Sequence, residues 1–371
     1  MFYAIQEGVC DKLEHKTGLR KPLKAQEVFL TLKACAAVSA AVLMIIYPEV
    51  TADSAVNSIN VCVSAIIPSM FAFMVLTGYI CDSGLYRVIF RPVLWLMRRI
   101  IKADDRIISV FLMSMIGGYP VGVKLLKETI AQNKNYPAIK GVCRDSAMFC
   151  YCISPTFALI MLGNGVFGST AAGAVIYISD VLSCLIAAAA VSRFCRLKTG
   201  IKTETGSGSL IGAVNSASRA LFVVCTVIVA FNTALDCITA FLGDIGITLP
   251  KELLGALEVS NLLKIQRPGV SLIPVVTAIS SMGGVCVLLQ CAAIVKGEFP
   301  IKRFIIARLP CALLSGFISW VILKFTDISV ETSTFSPQYT YDFSANKIIV
   351  LVLIAMCIII LHRSDKILKK V

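Results

Sequence analysis

The chain alternates between long apolar blocks and short, polar, mostly basic connectors. Unbroken apolar runs fall at about 31–47, 58–80, 145–163, 170–192, 217–242, 270–295, 304–325 and 347–362. Their lengths approach the ~20 residues a helix needs to cross a hydrocarbon core of about 30 Å. They lack the strict polar–apolar alternation of a transmembrane strand, so the pattern predicts helices and not a barrel. Two further apolar segments are interrupted. Residues 106–131 carry Gly117-Gly118-Tyr119-Pro120-Val121-Gly122, and residues 249–266 are short and carry Lys251, Glu252, Glu258 and Lys264. Both are expected as re-entrant helical hairpins, buried in protein because their freed backbone groups need partners. The fold class is therefore an all-α polytopic membrane protein with about eight transmembrane helices and two hairpins.

The order of these elements repeats. A span, a broken hairpin, an interrupted span and a further span run through 57–195, and the same order returns in 213–325. A polar Gly/Ser/Thr linker, 196–212, separates the halves; residues 1–56 hold the N-terminal region and first helix, and 326–371 an outer loop and last helix. The halves echo each other weakly, as in 64–80 against 216–232 and the region around 180 against that around 308. By the topology below, the first half begins outside and the second inside, so the repeats are inverted. Inverted repeats with paired helix breaks are the architecture of many secondary transporters, which hold solute near the midplane on free helix ends. Any two runs of apolar spans look somewhat alike, and that compositional explanation stands beside the repeat.

Composition excludes the soluble alternatives. Of 371 residues, 57% are hydrophobic and only 15% charged, with a mean hydropathy of +0.83. A soluble protein of this size cannot hide so much apolar surface, and neither a disordered nor a fibrous chain has this composition. The net charge of +13 would suggest nucleic acid in a soluble domain. Here it follows the positive-inside rule. With the N-terminus in the cytoplasm and each hairpin returning to its own side, 30 of the 35 Lys and Arg face the cytoplasm. No nucleic-acid partner is expected; the expected partners are the lipid bilayer and a small polar solute, and a homo-oligomer is compatible with the pattern. The polar, basic residues 1–30 precede a first helix without a cleavage site, so it is expected to be retained. Residues 86–101 place aromatics beside arginines and read as an interfacial amphipathic helix.

Catalytic and metal chemistry find little support in the pattern. The two histidines, His15 and His362, lie near the termini. Most of the 15 cysteines lie in apolar blocks, as small packing residues. Cys150 and Cys152 form a C-x-C, which is not a zinc pattern without further ligands. No enzyme activity, cofactor or metal is expected.

The candidate solute site rests on the helix breaks. Gly117, Gly118, Tyr119, Pro120 and Gly122 free backbone groups that can coordinate a polar ligand, and Lys124 can meet an anion; the plain alternative is a cytoplasmic turn. In Ser154-Pro155-Thr156, proline removes a donor and the hydroxyls can re-satisfy carbonyls; the alternative is an ordinary kink. Glu258, Ser260 and Asn261 lie on the second hairpin, where an acid at membrane depth is a functional candidate. Its structural alternative is pairing with Lys264 or Arg267 at the surface. Gly283-Gly284 breaks the second half. Asp180, the only acid in its span, is either a coupling group or an ion-pair partner of Arg308. Asn232 and Asp236 are weaker candidates.

The segment SMIGGYPVGVKLLKE at 114–128, followed by CISPTFALIMLGNGVFG at 152–168, resembles the sporulation integral membrane proteins of the YlbJ type, in the nucleoside-recognition (Gate) domain group. Gly118, Tyr119, Pro120, Gly122 and Lys124 match the first motif of that family. Ser154-Pro155-Thr156-Phe157 matches the second in part, with serine where the family has asparagine. Glu258 falls where the family tends to have an acid. The resemblance covers roughly 57–325. It implies two inverted Gate repeats, an architecture related to concentrative nucleoside transporters, and a role in spore cortex or envelope formation. The implied location is a bacterial cytoplasmic membrane, or the forespore or mother-cell membrane, with both termini cytoplasmic. A non-transporting membrane scaffold for spore-envelope assembly is the alternative.

Overall fold

A computed structural model of the chain describes residues 25–133, 136–198, 208–265, 268–326 and 328. The predicted last span, both histidines and most of the linker lie outside the described residues. Those described are almost entirely helical, with a single isolated bridge between Ala103 and Leu197. Helix α1 (Ala25–Ile46) meets α2 (Pro48–Val61) at Tyr47, where the segments Ala34–Ile46 and Pro48–Ser64 bend by 102°. Helix α2 continues through a π-helical turn, Cys62–Ile66, into α3 (Ile67–Asp82). Pro68 lies at the junction, and its missing N–H removes one regular helical bond there.

Short helices α4 (Tyr86–Ile89) and α5 (Arg91–Ile100) follow. Helix α5 is amphipathic, as expected: Leu94 is buried, Trp95 and Leu96 are exposed, and Arg99 stacks over Trp95 at 4.0 Å. Then come α6 (Asp105–Gly117), α7 (Tyr119–Gln132) and α8 (Ala138–Ser146), the π-helical segment Phe157–Val166, and α9 (Thr170–Phe194). Helix α10 (Leu210–Asp244) opens the second half. It is followed by α11 (Lys251–Leu257), a 3₁₀ turn Val259–Lys264, α12 (Ile273–Met282), α13 (Gly284–Val295) and α14 (Lys302–Phe325).

Among the described residues, four helical stretches are long and apolar enough to cross a membrane: α9, α10, Val270–Val295 and α14. The count is five if the bent pair at Tyr47 is one span. The chain is thus a membrane-embedded, multi-pass, all-α protein. Burial runs opposite to that of a soluble domain. Phe222, Ile306 and Leu313 are 70%, 72% and 65% exposed, while Arg106, Lys124, Asp180, Glu258 and Arg308 are buried. An apolar belt around polar interior groups is stable only when lipid covers the belt.

One expected span is not a helix. The apolar run 145–163 leaves helix after Ser146, passes through turns, and has no regular structure over Tyr151–Ser154 before helix resumes at Pro155. Proline has no N–H to bond backwards and forces the residue before it towards extended geometry, so the break falls at Ser154 and is far more than a kink. The second expected hairpin is also smaller than drawn. It is the seven-residue α11 folded back by the 3₁₀ turn, with Gly255 so close that a Cβ there would lie 2.5 Å from Leu262 Cδ2.

The helices pack through small residues, as lipid-embedded helices do. Gly163 and Gly173 bring the π-helical segment onto α9, and Gly316 brings α14 onto the Pro274 carbonyl of α12. Polar links gather the basic connectors at one end. Lys140 pairs with Glu298 at 3.1 Å, Asp145 with Arg144 and Arg303, and the Asp104 N–H donates to the Leu197 carbonyl. Elsewhere the Tyr47 hydroxyl donates to Asp244 at 2.6 Å, tying the α1–α2 bend to the end of α10.

Candidate functional site

The first break is made by Gly118. Its φ of +86° and ψ of −174° suit glycine and little else, so α6 stops there and α7 restarts with Pro120 in its first turn. The two helices fold back tightly. A Cβ on Gly122 would lie 2.8 Å from Ser114 Cβ and closer still to the Cys150 carbonyl oxygen. The tip of this hairpin rests on the unwound strand: a Cβ on Gly118 would lie 3.0 Å from that of Ser154.

Unwound backbone at this depth must find partners inside the protein. One face of α9 supplies several. Tyr177 donates its hydroxyl to the Met115 carbonyl at 3.0 Å, Asp180 Oδ2 accepts the Ile153 N–H at 2.8 Å, and Cys184 Sγ donates to the Tyr151 carbonyl at 3.2 Å. The spacing i, i+3, i+7 puts all three on one side of the helix.

The second break is at Gly283, left-handed at φ +78°, which ends α12 and starts α13. Its three preceding carbonyls are each met from a different place. Ser280 O accepts the Tyr119 hydroxyl; Ser281 O accepts Arg308 Nη2 at 2.7 Å; Met282 O accepts the Tyr151 hydroxyl at 3.1 Å. A Cβ on Gly283 would collide with that Tyr151 hydroxyl. The Tyr119 and Tyr151 rings lie 4.9 Å apart, and the Arg308 guanidinium sits 4.5 Å above the Tyr151 ring. Gly284 abuts the carbonyls of Ala256 and Leu257, which brings the end of α11 and Glu258 to the same break.

The predicted residues therefore converge: Gly118, Tyr119, Ser154, Gly283 and Gly284 form one cluster with Arg308 and Asp180. Glu258 is buried and caps the 3₁₀ turn, accepting the Ser260 N–H at 3.2 Å. Asn261 is also buried, and its amide faces the Leu254 carbonyl. Arg267 and the Lys264 side chain lie outside the described residues. Ser154 Oγ accepts the Phe157 N–H at 3.2 Å, starting the next helical segment, with Pro155 and Thr156 half-buried beside it.

One expectation is corrected, and Lys124 gains a partner. The Lys124 ammonium is buried 2.9 Å from Glu128 one turn along α7, and Glu128 also accepts the Ser216 hydroxyl. Asp180 and Arg308 reach the same cluster without a direct ion pair. Arg308 instead bridges the Ser281 carbonyl and hydroxyl and points Nη1 towards Cys184 Sγ at 3.8 Å.

Several residues carry the site without having stood out as candidates: Tyr151, Tyr177 and Cys184. The i, i+3, i+7 spacing on α9 was the available signal. Arg106, counted only as a flanking charge, is buried and binds the Cys81 carbonyl, Asp82, Thr129 and Gln132. It joins the end of α3 to the end of α7. Lys127 Nζ donates to the Ile294 carbonyl at 2.6 Å near the end of α13, and burial with nearby Lys296 lowers its pKa below the usual lysine range. As for metals, Cys152, Asp180 and Cys184 are all buried, with one ligand atom from each within 4.8 Å of the others. The missing partners for Cys152 come from α9 and not from Cys150.

No protein-family model, curated protein or solved structure matches this chain.

Proposed function

We propose that the chain is a secondary-transporter-like membrane protein that binds a small polar solute where its helix breaks meet. In this reading 57–195 and 213–325 are two inverted Gate-like repeats, about eight spans cross a bacterial cytoplasmic or forespore membrane, and both termini are cytoplasmic. The chain serves spore cortex or envelope formation, as its resemblance to the sporulation membrane proteins implies. The observation that carries the solute site is the bond from Tyr119, at the first break, to the carbonyl of Ser280, at the second. A contact between two broken helices from different halves is where alternating access needs its solute. Moving the halves apart would uncover the Ser280, Ser281 and Met282 carbonyls together with Glu258.

The scaffold reading has its own support. All three carbonyls before Gly283 are already satisfied by protein side chains, which is what a closed packing junction requires. Reconstituted proteoliposomes separate the two. A transporter takes up at least one labelled polar metabolite, and Tyr119→Ala abolishes uptake. A scaffold takes up none, while deletion in the native organism still blocks spore formation.

A further inference from the structure

We infer that Cys152, Asp180 and Cys184 form a binding site for a soft divalent metal ion of the zinc or cadmium type. The inference stands apart from the solute reading and does not depend on transport. Asp180 and Cys184 are four residues apart on α9, so both project from one face. Cys152 comes from the non-helical segment Tyr151–Ser154, which that face supports. One ligand atom from each lies within 4.8 Å of the others. Tetrahedral zinc, with Zn–S of about 2.3 Å and Zn–O of about 2.1 Å, brings its ligands to about 3.5–3.8 Å of each other. Side-chain shifts of about 1 Å therefore close the set.

A second observation points to a ligand. Asp180 is 1% exposed; Oδ2 holds the Ile153 N–H and the Ser281 hydroxyl lies beside the carboxylate, but Oδ1 is buried without a hydrogen bond of full geometry. A buried carboxylate oxygen left alone is costly, and a neutral thiol is a poor partner for it. The neighbouring Arg308, with Nη1 3.8 Å from Cys184 Sγ, by itself repels a cation. The full charge count gives the opposite result. Binding releases a proton from each thiol. Two thiolates, one carboxylate, one guanidinium and one divalent ion then sum to zero, the balance a buried site needs. Monovalent copper would leave one negative charge, and thiolates select against magnesium and calcium. Three protein ligands leave one coordination position for water or an exogenous group.

The test is cadmium titration of the detergent-purified full chain, with X-ray absorption of the zinc-loaded wild type. The expected result is one ion per chain, a thiolate-to-metal charge-transfer band, and a zinc shell with two sulfurs at about 2.3 Å. Cys152→Ser and Cys184→Ser each weaken binding by more than about 100-fold, beyond the range of outer-shell changes. Cys291→Ser, a buried cysteine outside the set, leaves binding unchanged. Absence of binding, a zinc shell without two sulfurs, or wild-type affinity in the Cys152→Ser or Cys184→Ser variant overturns the inference. The absorption measurement needs only wild-type protein, so it decides the matter even if the variants misfold.

Discussion

The hydroxyl of Tyr119 donates to the backbone carbonyl of Ser280, joining residues 161 positions apart at the two helix breaks. The bond leaves Tyr119 with two separable parts: a hydroxyl that caps a helix end and a ring packed on Tyr151. Tyr119→Phe removes only the first and is expected to lower stability by about 1 kcal/mol. Tyr119→Ala removes both and is expected to cost about 3–5 kcal/mol. Thermal or denaturant unfolding in detergent reads the difference. No loss in Tyr119→Phe would show that the bond to Ser280 contributes nothing.

Gly122 sits where no side chain fits, between Ser114 and the Cys150 carbonyl. Gly122→Ala is expected to destabilise by about 3 kcal/mol or more, through overpacking that the backbone cannot relieve. Gly141, within α8, has nothing within 4 Å of an added Cβ. Gly141→Ala is expected to stabilise by up to about 1 kcal/mol, from helix propensity alone. Melting curves of the two variants should move in opposite directions.

Lys124, buried, pairs with the half-buried Glu128; their side chains are 3% and 17% exposed. Lys124→Met leaves Glu128 facing Ser216 without its cation and is expected to cost about 3 kcal/mol. Adding Glu128→Gln to that variant should recover most of the loss. If Lys124 served an external anion instead, the double variant would be no more stable than the single one.

Arg308 holds the Ser281 carbonyl and stacks on Tyr151 from a single planar group. Lysine keeps the charge but not the fork. Arg308→Lys is expected to lower stability by about 2–3 kcal/mol, and unfolding curves of purified protein test this. A neutral outcome would mean that the end of α12 needs no guanidinium cap.

Much of this arrangement was legible in the sequence, for identifiable reasons. The spans 170–192 and 217–242 appear as α9 and α10 because long, unbroken apolar runs have few alternatives to helix. The break at Gly118 was legible because three glycines and a proline leave a helix no way to continue. The run 145–163 misled because Tyr151, Cys152 and Ile153 are apolar and buried in a non-helical segment as they would be in a helix, and hydropathy does not separate the two. The pairing of Lys124 was not read from the sequence because a lysine beside a break looks like an anion site until its i+4 glutamate is considered. Cys184 was read as a packing residue because its partner, the Tyr151 carbonyl, is backbone, and backbone exposed by a distant unwound strand leaves no trace in side-chain identity. Arg106 looked like one more positive-inside charge because its four partners come from two stretches of chain, 81–82 and 129–132, distant from each other in sequence.

The central claim, that the meeting of the two breaks is a solute site, is tested most directly by ligand-induced thermal shift across a panel of small polar metabolites. At least one compound should raise the melting temperature of the wild type. The same compound should have little effect on Tyr119→Phe and Glu258→Gln. Lys140→Gln, which loses only the exposed pair with Glu298, should respond like the wild type. Shifts of equal size in the wild type and in both site variants would contradict the claim.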